Sequence, residues 1–97
     1  MKILGIEYEC SGATEEHFQQ HAKSEARKVW ELIQAGIVRE VYFRADKNEA
    51  VLILECSSVQ EAEAMLSGLP FVQHNLIRFE LIPLRAYPGL ERLFAEN

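Results

Sequence analysis

Residues 2–9, KILGIEYE, set Leu4, Ile6 and Tyr8 against Ile3, Gly5 and Glu7, the period-2 alternation of a strand. The SGAT segment breaks that pattern. Thr14 is a capping residue, and the acidic residues after it suit the positive end of a helix dipole. Apolar side chains then recur at Phe18, Ala22, Ala26, Val29, Leu32 and Ile33, a 3.6 period, and Gly36 follows as a stop, so the spacing predicts a helix from about 14 to 35. Two apolar runs, 37–45 and 50–57, flank the polar DKNE and predict a hairpin. Ser58 with Glu61 three residues on opens a second, shorter helix, which Gly68 and Pro70 close. After a loop PFVQHN, LIRFELIPL predicts a fourth strand, and residues 85–97 form a tail with a Tyr-Pro-Gly break.

The order βαββαβ is that of a ferredoxin-like α+β fold, a four-stranded antiparallel sheet with two helices on one face. With 97 residues, one domain spanning 1–97 is expected, since a second core would not fit. A hairpin turn at Lys47 and Asn48 would set residues whose numbers sum to 95 opposite each other, pairing Arg39 with Cys56, Glu40 with Glu55, Tyr42 with Ile53 and Arg44 with Val51. One face of the sheet would be clean and apolar. The other would gather Glu7, Glu40, Glu55 and Glu80 with Arg44, Arg78 and Tyr42 among Ile3, Val51, Ile53, Leu76 and Ile82. A one-residue bulge would exchange the two sets partway along. A solvated face does not need so many β-branched and leucine residues, whereas a sheet packed on a second sheet does. The charges then serve either as rim ion pairs or as the lining of a pocket.

Charge and composition narrow the partners. Fifteen acidic against ten basic side chains, net −5, with no basic stripe, is the reverse of a nucleic-acid footprint. The N-terminus lacks the apolar core of a signal peptide, and no run approaches the roughly 20 apolar residues of a membrane span, so a cytoplasmic protein without a membrane partner is expected. Cys10 and Cys56 show neither CxxC spacing nor a Cys/His cluster, which leaves them reduced and structural. His17 and His21 stand four apart, a spacing open to a metal, but HExxH is absent and both flank the apolar stripe, so no metal site is assigned. Trp30, Phe43, Phe71 and Phe79 read as core, with a cavity lining as the alternative.

The long first helix ending in GIVRE, the strand VYFR, the acidic end ILECSS and the helix exit LSGLPF resemble the dimeric α+β barrel superfamily, and within it the muconolactone isomerase family, over residues 1–84. That resemblance implies two sheets pairing in a homodimer or larger ring, with a small organic acid or lactone held in a cleft. It implies double-bond migration by proton transfer, which requires no metal, and the sequence carries no cofactor motif. On that pattern Glu55 is a catalytic candidate; His74 is a second on its own account, since it lies in the loop after Pro70, where a cleft mouth would be, and imidazole is a proton-transfer group. Arg39, Glu40, Tyr42 and Arg44 are the substrate-binding candidates, an arginine anchoring the ligand's carboxylate. Arg39 and Glu55 would face opposite ways unless a bulge intervenes. The tail, with YPGLERLF, departs from the family pattern. A non-enzymatic barrel that binds a metabolite or a protein partner is the alternative function.

Overall fold

The computed structural model describes residues 1–95. Strands β1 (Lys2–Glu9), β2 (Val38–Phe43), β3 (Ala50–Glu55) and β4 (Ile77–Pro83) form one antiparallel sheet in the order β2-β3-β1-β4. Helix α1 (Glu15–Gln34) follows β1, α2 (Val59–Leu66) follows β3, and a one-turn α3 (Pro70–Gln73) precedes β4. This is the expected ferredoxin-like βαββαβ fold with one helical turn added. The added turn occupies the PFVQHN segment expected as a loop. Pro70 fits the first helical position, where its missing N–H costs nothing. Asn75, at φ 58°, ends the turn in a left-handed cap, with the Leu76 N–H donating to the Phe71 carbonyl at 2.9 Å.

The ends of the longer helices follow their sequences closely. Thr14 accepts from the His17 N–H and caps α1, and Ser58 does the same for α2 from Glu61. Gly36, at φ +78°, terminates α1 while the Ile37 N–H reaches back to the Leu32 carbonyl at 3.0 Å. That closure turns the chain directly into β2.

The β2–β3 register differs from the expected one. From Glu40 to Phe43 opposed residue numbers sum to 93, as in Glu40 with Ile53 and Tyr42 with Val51, and a bulge lies between Val38 and Glu40. The polar connection is therefore wider than the two-residue turn expected at Lys47 and Asn48: the Arg44 N–H donates to the Glu49 carbonyl at 2.9 Å, leaving 45–48 between them, and the Glu49 N–H is bonded to the Lys47 carbonyl at 2.8 Å. A shift by two in the sum keeps every side chain from Glu40 onward on its expected face. The bulge alone changes faces: it lets both Val38 and Val41 look toward the helices and leaves Arg39 as the extra residue.

Strand β1 lies the other way up from the expectation. Ile3, Gly5 and Glu7 are buried beneath the helices, and Leu4, Ile6 and Tyr8 are on the open face. The pairing explains this: Ile3 lies opposite Leu54 and Gly5 opposite Leu52, both core residues, so the small Gly5 shares their face. Leu76 is also buried rather than on the mixed face, just ahead of β4, where its carbonyl accepts from the Cys10 N–H at 2.8 Å. The core joins Ile3, Val38, Leu52 and Leu54 of the sheet to Leu32 of α1 and Leu66 of α2. Cys56 is buried in the same core and Cys10 is partly covered; both are free thiols.

The open face carries Leu4, Ile6, Val51, Ile53 and Ile82 with charges that pair among themselves. Tyr8 donates to Glu80 at 3.1 Å, the Arg78 guanidinium stands 4.7 Å over the Tyr8 ring, and Tyr42 donates to Glu40 at 2.7 Å. Beyond β4, Pro88–Phe94 forms a 3-10 helix whose Leu90, Leu93 and Phe94 are 62, 76 and 86% exposed, so the tail is not packed on its own sheet. The radius of gyration, 16.2 Å, exceeds the about 13 Å of a compact chain this long for the same reason. No helix among the described residues is long and apolar enough to cross a membrane.

Candidate functional site

Helix α1 stands away from the sheet along much of its length, leaving a cleft of about 1030 Å³. Local sequence produces the gap: the α1 face toward the sheet presents Ala22 and Ala26, side chains too short to reach it. Aromatic rings line the space instead, with Phe18 and Trp30 from α1, Phe43 from β2 and Phe79 from β4. Phe71 of α3 closes one side, its ring edge-on to Phe18 at 5.0 Å. These aromatic residues are therefore cavity lining more than core, and Trp30 and Phe43 remain 57 and 67% exposed.

Glu7 sits on the wall of this cleft, on the central strand β1, and is 9% exposed. Burial pushes its carboxyl up from 4.5 to about 7; the Ala50 backbone N–H opposes that, and the negative charges of Glu25, Glu49 and Glu9 add to it. Among the described residues no side-chain donor is bonded to it. Glu25, half-buried on α1, also lines the cleft, and its Oε1 accepts from the Phe71 N–H at 2.9 Å. Burial raises the Glu25 carboxyl as well, with the Phe71 bond working the other way. Glu49, buried beside the pair, is held ionised first by the Glu9 N–H, which donates to its Oε2 at 2.8 Å, and also by Lys47 at 3.2 Å from its Oε1. Three carboxyls thus meet at one end of the sheet, two of them displaced toward neutrality. That contrast is how acid and base forms come to coexist near neutral pH.

The residues expected from the sequence to carry the chemistry lie elsewhere. Glu55 is at the opposite end of the sheet, paired with the Met1 amine at 2.6 Å, and that bond, with Arg39 as a lesser influence, holds its carboxyl below the usual range. The bulge does bring Arg39 to the same side as Glu55, but the Arg39 Nε–H donates to the Gly36 carbonyl at 2.7 Å. Glu40 and Tyr42 bond each other on the open face, and Arg44 grips Asp46 through two bonds of 2.9 and 2.7 Å. His74 caps α3 and stacks on His21, ring centroids 3.8 Å apart, while His17 is exposed. None of the six expected site residues, Glu55, His74, Arg39, Glu40, Tyr42 and Arg44, lines the cleft, and neither does His17 or His21. The two raised carboxyls on the cleft wall, Glu7 and Glu25, were not among the site residues expected from the sequence. Alternation alone leaves the face of Glu7 open; the pairing of Gly5 with Leu52 and Leu81 sets it toward the helices.

Fold and cleft together define a class, a ferredoxin-like α+β protein with a small-molecule cavity between helix and sheet. The family model for muconolactone delta-isomerase matches residues 7–89, and the chain belongs to that family. A search of curated proteins gives no match. Among solved structures, the chain is similar to 5-chloro-2-hydroxyhydroquinone dehydrochlorinase from Burkholderia phenoliruptrix, solved in complex with 2,5-dihydroxybenzoquinone. The two share 13% identity over 92% of this chain and 98% of that one, with a TM-score of 0.68, a likeness of fold.

Proposed function

We propose that the chain is a cofactor-independent isomerase of the muconolactone isomerase type, acting in the α1–sheet cleft with Glu7 as the proton-transfer group. The observation that carries this reading is the Glu7 carboxyl, nine-tenths buried on the cleft wall and raised to about 7. A carboxylate at that value takes a proton from carbon beside a carbonyl and, as an acid that exchanges with solvent, returns a proton two carbons along, so the double bond moves and the composition is unchanged. Glu25 positions α3 through Phe71, and its charge favours the protonated form of Glu7 once the proton has moved. A neighbour of the same fold holding a quinone supports a ring-sized ligand, and the aromatic walls fit one.

The apolar stripe Leu4, Ile6, Val51, Ile53 and Ile82 supports a homodimer in which two open faces pack into a barrel. Its charged neighbours already satisfy one another, so covering them leaves few groups unpaired. The experiment is proton-transfer turnover of unsaturated lactones in deuterated buffer, read by NMR as double-bond migration with solvent deuterium incorporated. Glu7→Gln is expected to slow it by about 10²–10⁴-fold, the range of general acid–base catalysis. A Glu7→Gln protein with wild-type turnover overturns the assignment, and binding without turnover in the wild type makes the chain a non-enzymatic binder.

A further inference from the structure

A ligand entering the cleft meets four carboxyls, those of Glu7, Glu9, Glu15 and Glu25, and among the described residues no lysine, arginine or histidine lines it. On the adjoining β2–β3 connection, Lys47 is engaged with Glu49 and Arg44 with Asp46. The remaining polar lining consists of the amides of Gln19 and Asn48. An arginine anchor for a carboxylate ligand is thus not part of this wall. Resting on the reading of this cleft as the ligand site, we infer that it takes an uncharged ring bearing hydroxyl groups and turns away anionic ones.

The chemistry of the lining favours that class on three counts. A carboxylate on the ligand would lie against like charge, with no cation among the described lining residues to offset it. Ring hydroxyls, in contrast, donate to carboxylate oxygens, the most abundant acceptors present. The five aromatic side chains match a flat ring by stacking and edge contacts. An ammonium would also satisfy the carboxylates, but it accepts nothing. Glu7, which carries a proton near neutrality, needs an acceptor on the ligand, and a hydroxyl provides both roles.

Three molecules of one shape separate the possibilities: resorcinol, 3-hydroxybenzoate and 3-hydroxybenzylamine, near neutral pH. Trp30 is the chain's single tryptophan and lines the cleft, so the NMR shift of its indole N–H reports occupancy there. Resorcinol is expected to bind at least about tenfold more tightly than 3-hydroxybenzoate, given the cost of juxtaposing like charges, and no less tightly than 3-hydroxybenzylamine, whose ammonium cannot accept from a protonated Glu7. Glu25→Gln, which keeps the acceptor for the Phe71 N–H, is expected to narrow the preference for resorcinol over 3-hydroxybenzoate by at least about threefold. Equal or tighter binding of 3-hydroxybenzoate by the wild type overturns the proposal, as does preference for the amine. Failure of all three to shift Trp30 overturns it too. If an anion binds and turnover still depends on Glu7, the ligand class falls and the proton-transfer assignment stands; if turnover ignores Glu7, the assignment falls by itself.

Discussion

Replacing Glu7 with glutamine should stabilise the protein at alkaline pH and leave it nearly unchanged in acid. The side chain is isosteric and still accepts from the Ala50 N–H, so the variant differs chiefly in lacking a titratable proton. In the unfolded chain the carboxyl titrates near 4.5, and in the folded chain near 7. Below pH 4.5 both states are protonated and burial imposes no ionic cost. Between 4.5 and 7 the folded state holds a proton that the unfolded state has released, so wild-type stability falls as pH rises. Above about 7 the full cost persists. At about 1.4 kcal/mol per tenfold change, moving the carboxyl from 4.5 to about 7 costs about 3 kcal/mol, an upper value because the cleft admits water. Urea unfolding of both proteins across this range measures it directly. With a slope of about 1–3 kcal/mol per molar urea, the alkaline midpoints should separate by on the order of 1–3 M, and the acid midpoints should coincide. Because every other group titrates in both proteins, the difference isolates Glu7. Parallel stability curves at all pH values would refute the burial argument and, with it, the acid form of Glu7 at neutrality.

Three further outcomes test the frame around the cleft. Gly5→Ala places a methyl 3.2 Å from Leu54 Cδ1 and 3.5 Å from Leu52 Cβ, and thermal unfolding should show about 1–3 kcal/mol of lost stability from overpacking. Ser58→Ala removes the cap of α2 and should cost about 1 kcal/mol in denaturant melts, with turnover retained. Ile53→Asp sets a charge in the middle of the apolar stripe and should weaken self-association in sedimentation equilibrium by at least about tenfold more than Gln60→Asp on exposed α2, since an unpaired buried charge is costly. Equal effects of the two would remove the open face from the interface.

The elements were legible because each rests on local signals: Thr14 and Ser58 as caps, Gly36 as a stop, and the alternation along 2–9 and 76–84. The site was less so, because it depends on which face of β1 is covered. Ile3-Gly5-Glu7 and Leu4-Ile6-Tyr8 are both plausible core sets by alternation, and the more apolar second set is the wrong one. Only pairing with β3 decides it, by setting Gly5 against Leu52 in the core. Glu55 shows the complementary difficulty. Its place at the end of an apolar strand resembles a family pattern, yet its environment is an ion pair across the chain that no local pattern encodes. The one-residue bulge at Arg39 was foreseeable as a device but not in its location.

Ala22 and Ala26 give the cleft a meaning in terms of the chain's evolution. Two leucines in their place would extend the apolar stripe of α1 toward Leu52 and Phe79 and fill volume now left open. Such a helix would bury more surface and hold the sheet more firmly. Keeping alanine therefore forgoes stability that two single-codon-scale changes of size could supply, the trade expected where a void is retained for use. Because the acid belongs to the central strand and the void to the helix, the two can drift independently. Variation along α1 reshapes what fits, while the raised carboxyl of Glu7 stays fixed in the sheet.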